Sequence, residues 1–145
     1  MRERTDRERL MAANDLRKDS CLIVPCYRHA GPLLEELGRL RAFRMPIIVV
    51  DDGNAPEESA RLAAAASESV IVLRNEENMG KGASVLKGFQ KAEELGFRYA
   101  VQIDADGQLD TGGIADILAA AEKNPGCLIY GVPVYDRSVN RLRYV

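Results

Sequence analysis

Cysteine and histidine are scarce in this chain, and neither falls in a pattern that does chemistry. The three cysteines, Cys21, Cys26 and Cys127, form no CxxC pair, and the only histidine is His29. That excludes a disulfide framework and a cysteine–histidine zinc site. An excess of charge of one sign is missing too. Lys and Arg number 20 against 22 Asp and Glu, so composition gives no electrostatic footprint for nucleic acid. No apolar run approaches the roughly 20 residues of a bilayer-spanning helix, and the charged amino terminus lacks the apolar core of a signal peptide. Internal repeats and low-complexity tracts are absent as well, apart from alanine clusters. At 145 residues, the expectation is one globular domain with small-molecule chemistry in a reducing cytosol.

What is present is an alternation of short β-branched runs and helical stretches. Residues 1–20 read as an amphipathic helix or arm with no assigned chemistry. Cys21 to Pro25 is a first strand. Pro32 then opens a helix carrying Leu33, Leu34, Leu37 and Leu40 at helical spacing and ending near Phe43. Ile47 to Val50 is a strand covered on both faces, Pro56 to Ser67 an alanine-rich helix, and Val70 to Leu73 a third strand. A polar loop, Asn75 to Gly82, leads into a helix from about Lys81, whose apolar face is expected at Val85, Leu86, Phe89 and Ala92. Gly96 is placed to cap it. Tyr99 to Ile103 is a fourth strand, Ile114, Ile117, Leu118 and Ala121 mark a helix ending by Pro125, and Cys127 to Val132 is expected as a fifth strand.

Strands alternating with helices in this way predict an α/β fold with a doubly wound, mostly parallel, Rossmann-like sheet. Ligands of such sheets sit beyond the carboxyl ends of the strands, where strand order reverses. Those ends carry Pro25-Cys26-Tyr27, Asp51-Asp52-Gly53 and Asp104-Ala105-Asp106. A strand alternates its side chains, so Asp104 and Asp106 point the same way. Both can then approach one hard divalent cation, Mg²⁺ or Mn²⁺, which usually takes one or two carboxylates plus substrate phosphate oxygens. A lone Asp-Gly turn would also end a strand in this fashion, but three polar ends on one sheet edge favour a shared crevice.

The ordered set Ile23-Val24-Pro25-Cys26-Tyr27, Ile48-Val49-Val50-Asp51-Asp52-Gly53, Asn75-Glu76-Glu77-Asn78-Met79-Gly80-Lys81-Gly82 and Asp104-Ala105-Asp106-Gly107-Gln108 resembles the family 2 glycosyltransferases, nearest the dolichol-phosphate mannosyltransferase-like branch. The resemblance runs from about Cys21 to the end. It implies a GT-A fold, a nucleotide-sugar-binding domain over residues 21–145, a nucleoside diphosphate sugar donor of UDP or GDP type, and Mg²⁺ or Mn²⁺ as cofactor. By the same resemblance Pro25, Tyr27, Asp51, Asp52, Gly53, Asn78, Lys81, Asp104 and Ala105 bind the nucleotide, and Asp104, Asp106 and Gln108 hold the metal. Lys81 has an alternative reading as a solvated lysine at a helix start. The reaction implied is an inverting sugar transfer to an acceptor, a polyprenyl phosphate or glycan, at the inner face of a membrane.

Several residues depart from the family pattern. Tyr27-Arg28-His29 stands where members often read Tyr-Asn-Glu, and His29 is expected as a loop surface residue and not a base. Asn54 replaces the Ser that follows Asp-Asp-Gly. Family domains also continue past the fifth strand into an acceptor-binding segment. The chain is therefore expected to be truncated before that part, its catalytic base outside it and its uncovered surfaces prone to self-association. Asp110, Asp116 and Asp136 are expected as loop, helix-face and tail residues. Two rival readings follow: a non-catalytic nucleotide-binding fragment or module, and a haloacid-dehalogenase-type phosphatase. In the latter the aspartate pair follows the first strand, whereas here it follows the fourth. A calcium loop fails because its last position is Ala115, and a Walker A loop because its first glycine is Asn75.

Overall fold

The computed structural model describes residues 16–106 and 112–132. The strands are β1 (Ser20–Cys26), β2 (Ile47–Asp52), β3 (Val70–Asn75) and β4 (Tyr99–Gln102), and the helices α1 (Ala30–Arg41), α2 (Pro56–Ala64), α3 (Lys81–Glu94) and α4 (Gly112–Lys123). Every pairing is parallel and the order is β3-β2-β1-β4. Strand order thus reverses between β1 and β4, the point at which an open parallel sheet leaves a crevice at its carboxyl edge. This is the expected doubly wound α/β, Rossmann-like arrangement.

Alternation divides the core in two. One face carries Leu22, Val24, Ile47, Val49, Val101 and Ile103 with Leu33, Leu37 and Leu40 of α1, Leu62 of α2 and Ile114 and Leu118 of α4. The opposite face carries Cys21, Ile23, Ile48 and Val50 with Ala92 of α3. β1 and β2 are buried along their whole length, which is why they read as continuous apolar runs and not as alternating ones. Pro56 begins α2, where its missing N–H costs nothing. Gly96, at φ +83°, closes α3 through Gly96 N–H to the Glu93 carbonyl (2.9 Å) and Phe97 N–H to the Ala92 carbonyl (3.0 Å), the paired bonds of a Schellman cap.

Two expectations are corrected. The buried stripe of α3 is Ser84, Gly88 and Ala92, while Leu86 is 62 % and Phe89 40 % exposed. The cause is proximity. A Cβ on Gly88 would lie 2.4 Å from Ile23 Cγ2, so only small side chains fit between α3 and β1. Residues 127–132 form no strand, and Leu128, Tyr130 and Val132 stand largely exposed. Their apolar composition finds no ladder partner among the described residues, and a strand is stable only when paired. The expected arm of residues 1–20 lies outside the described residues as far as position 15. No described helix is long and apolar enough to cross a membrane.

The α3–β1 approach yields a direct test. Gly88→Val forces branched volume against Ile23 and should destabilise the fold by about 2 kcal/mol, within the usual range for overpacking. Urea unfolding measures it, and an unchanged midpoint would show that α3 does not sit this close to the sheet.

Candidate functional site

A cavity of about 380 Å³ opens at the carboxyl ends of the strands. β1 supplies Pro25 and Cys26, followed by Tyr27 and His29; β2 supplies Asp52; the β3–α3 loop supplies Asn78 and Gly80, followed by Lys81; the segment after β4 supplies Asp104, Ala105 and Asp106. Four segments far apart in sequence therefore converge where the topology leaves a crevice. Pro25, Tyr27, Asp52, Asn78, Lys81, Asp104, Ala105 and Asp106 were singled out from sequence, and the fold brings all eight round one cavity. Another cavity, also about 380 Å³, lies at the amino ends of β2 and β3 between Arg41, Arg44 and Ser69. It gathers none of these residues.

The adjacent aspartates of β2 part company because neighbouring residues on a strand face opposite sides. Asp51, 1 % exposed, turns toward α2. There it accepts bonds from the Asn54 backbone N–H (3.0 Å), Asn54 Nδ2 (2.7 Å) and the Ser59 hydroxyl. It is occupied in fastening the β2–α2 turn and does not line the cavity. Asp52 turns toward α3. Its Oδ1 accepts from Asn75 Nδ2 (2.8 Å) and the Met79 N–H (2.8 Å), and its Oδ2 from the Gly80 N–H (3.0 Å). Burial pushes the Asp52 carboxyl up, but the bonds from Asn75, Met79, Ser84 and Gly80 outweigh it, and the net shift is downward.

That shift has a consequence with a definite sign. A carboxyl lower in the folded chain than its ordinary 3.8 contributes stability that is complete above that value and is lost as pH falls through the lower folded one. The stability gap between the wild type and Asp52→Asn should therefore be widest near neutrality and narrow in acid. Urea midpoints across that range test it, and a gap independent of pH would contradict it.

Gly53 does not line the cavity but lets it form. At φ +70°, its Cα hydrogens face the Glu77–Asn78 peptide, and a Cβ there would stand 2.2 Å from the Glu77 carbonyl carbon. The β2 end and the β3–α3 loop can close up only over a glycine. Asn78 Oδ1 accepts from the Gly80 N–H (2.9 Å), shaping the turn into α3.

Beyond Ile103 the two-residue alternation continues: Ile103 and Ala105 are buried, Asp104 is exposed and Asp106 half-buried. Asp104 Oδ1 meets Lys81 Nζ at 2.5 Å and accepts from Gln102 Nε2 at 2.7 Å. Among the described residues no cluster of three or more His, Cys, Asp or Glu is suited to a metal. The site offers two carboxylates on one wall, an oxygen donor set that suits a hard divalent cation sharing its coordination with phosphate and water. The Lys81 ammonium already stands against Asp104. Gln108 lies outside the described residues.

Cys26, His29, Gly80 and Gln102 belong to the site without having been assigned to it from sequence. Cys26 is fully buried, and its thiol is raised to about 11 by burial, opposed by the His29 backbone N–H and reinforced by the Asp51 and Glu58 charges. It is an un-ionised floor residue. His29 is exposed, as expected, but also stands on the cavity wall, with Nδ1 donating to the Tyr27 carbonyl at 2.8 Å. Arg28, at φ +58°, stacks its guanidinium 5.0 Å from the Tyr27 ring centre and donates its N–H to Asn54 Oδ1 (2.6 Å). Proximity of Pro25 and Cys26 to the first polar strand end was the available signal for Cys26; for His29 and Gln102 none stood out.

The family model described as glycosyl transferase family 2 matches residues 21–145. Undecaprenyl-phosphate mannosyltransferase of Micrococcus luteus is 31 % identical over 117 residues, covering 72 % of this chain and 48 % of that protein. UDP-N-acetylglucosamine–dolichyl-phosphate N-acetylglucosaminyltransferase of Methanococcus voltae is 30 % identical over 112 residues, 67 % of this chain and 45 % of that one. Polyprenol monophosphomannose synthase of Mycolicibacterium smegmatis is 30 % identical over 106 residues, 70 % of this chain and 40 % of that one. The chain spans about half the length, or less, of these curated relatives.

Proposed function

The chain belongs to glycosyl transferase family 2, and from that premise we propose that the carboxyl-edge cavity holds the nucleoside diphosphate part of a sugar donor. The observation that carries this reading is the convergence of Tyr27, Asp52, Asn78, Lys81 and the Asp104–Asp106 pair on one cavity. Each group has a task that suits its chemistry. Tyr27, backed by Arg28, offers an aromatic face to the base. Asp52 holds the β3–α3 loop through the Met79 and Gly80 amides. The first turn of α3 contains no acidic residue, so its amino end and the Lys81 ammonium favour phosphate oxygens. Asp51 and Gly53 act one layer back, by fixing the turn and admitting the loop.

Asp104 and Asp106 would hold Mg²⁺ or Mn²⁺, with Gln108 as a third ligand. The cation's contribution would be to neutralise charge on the departing diphosphate. Two of the relatives carry mannosyl transfer in their names and one N-acetylglucosaminyl transfer, and all three name a polyprenol or dolichol acceptor. For the whole protein we accordingly propose inverting transfer of a sugar from a UDP or GDP donor to a polyprenyl phosphate at a membrane surface.

Titration calorimetry with UDP and with GDP tests the binding half of this reading. Binding of one nucleotide is expected with Mg²⁺ or Mn²⁺ and is expected to vanish with chelator. Equal heats with and without metal would remove the bridging role from Asp104 and Asp106.

A further inference from the structure

We propose that Lys81 is a built-in counter-cation of Asp104, occupying the carboxylate in the free protein and leaving it for the diphosphate when donor and metal enter together. The inference rests on the donor-cavity reading and adds an order to it: the site should discourage bare metal and accept metal with nucleotide.

The geometry is specific. Lys81 is the first residue of α3, directly after the Gly80 turn that Asp52 fixes. Its ammonium reaches across the cavity mouth to Asp104 Oδ1 at 2.5 Å, and the Gln102 amide reaches the same oxygen at 2.7 Å. An ammonium and a divalent cation on one carboxylate oxygen would repel each other across a few ångströms. Bare metal must therefore evict Lys81.

Eviction is easy but not free. The Lys81 and Asp104 side chains are 59 % and 49 % exposed. An exposed ion pair contributes at most about a fivefold factor, and the lysine stem is long and flexible. A diphosphate changes the balance by offering the ammonium new acceptor oxygens while bringing a counter-charge for the metal. Lys81 should then oppose metal when the nucleotide is absent and assist when it is present, which makes the two ligands mutually reinforcing through this chain's own side chain.

The test compares wild type, Lys81→Gln and Lys81→Arg, following free Mn²⁺ by its electron paramagnetic resonance signal, first alone and then with UDP or GDP. Lys81→Gln should bind Mn²⁺ alone roughly two- to fivefold more tightly than wild type and gain less from added nucleotide. Lys81→Arg, which keeps the charge, should stay near wild type. Unchanged or weaker Mn²⁺ binding by Lys81→Gln overturns the proposal while the wild type's Mn²⁺–nucleotide binding leaves the donor-cavity reading standing. Equal tightening in both variants overturns it too, since charge would not be the cause. If wild type and variants bind no Mn²⁺ under either condition, Asp104 is no cation site and both readings fall.

Discussion

Replacing Gly53 with Ala is expected to cost about 2–4 kcal/mol and to remove nucleotide binding. Two effects add. The backbone at φ +70° strains any residue with a Cβ, by roughly 1 kcal/mol. The larger effect is the collision: the nearest atoms are the Glu77 carbonyl carbon at 2.2 Å and the Asn78 nitrogen at 2.4 Å. These are backbone atoms that cannot rotate aside, so the β3–α3 loop must move. Moving it pulls the Met79 and Gly80 amides from Asp52, leaving a carboxylate that is 2 % exposed with fewer donors. Such a loss is worth about 1–3 kcal/mol. Against a total stability of about 5–15 kcal/mol, Gly53→Ala should lower Tm by roughly 5–15 °C. Gly53→Asn separates the causes, because Asn tolerates positive φ but still carries a Cβ. It should recover at most the strain share, about 1 kcal/mol, and keep the rest of the loss. A Tm within a degree or two of wild type for either variant would contradict the close approach.

The second large effect is on function with the fold left intact. Asp104→Asn combined with Asp106→Asn should weaken metal-dependent nucleotide binding by about a hundredfold or more, the scale of losing charged groups that engage a ligand directly. Stability should stay within about 1 kcal/mol. The Lys81–Asp104 pair is exposed on both sides and so contributes little, and removing two neighbouring like charges relieves repulsion. Calorimetry and thermal unfolding on one preparation read both quantities. A fall in Tm with binding retained would make these residues a strand terminus only.

Much of the sheet was legible because β1 and β2 are apolar runs buried along their whole length, and the four motifs fall at or just after the strand ends. A reversal of strand order was expected of a doubly wound sheet, but its place between β1 and β4 came only with the fold. Four things escaped. The rotation of α3 was misread because apolar spacing places Leu86 and Phe89 inward, whereas the Gly88–Ile23 approach and the Asn75–Ser84 bond (3.0 Å) fix the small-residue stripe against the sheet. A strand at residues 127–132 was expected from composition, which cannot supply a pairing partner. Asp51 and Asp52 read as one motif in the sequence, although strand alternation alone sends them to opposite faces, one to the α2 turn and the other to the cavity. Asn54, a departure from the family's Ser, joins Asp51, the Cys26 carbonyl and the Arg28 N–H in one bond set, a role visible only once β1 and β2 are paired.

Paramagnetic broadening by Mn²⁺ on amide resonances of the protein, with UDP and in a second titration GDP, tests the donor cavity most directly. With one of the two nucleotides, signals of Gly80, Lys81, Ala105 and Asp106 should broaden first and recover with chelator, while those of Arg44, Ser67 and Ser69 at the opposite end of the sheet stay sharp. Broadening centred on Arg44 to Ser69, or spread evenly over the chain, would contradict the account.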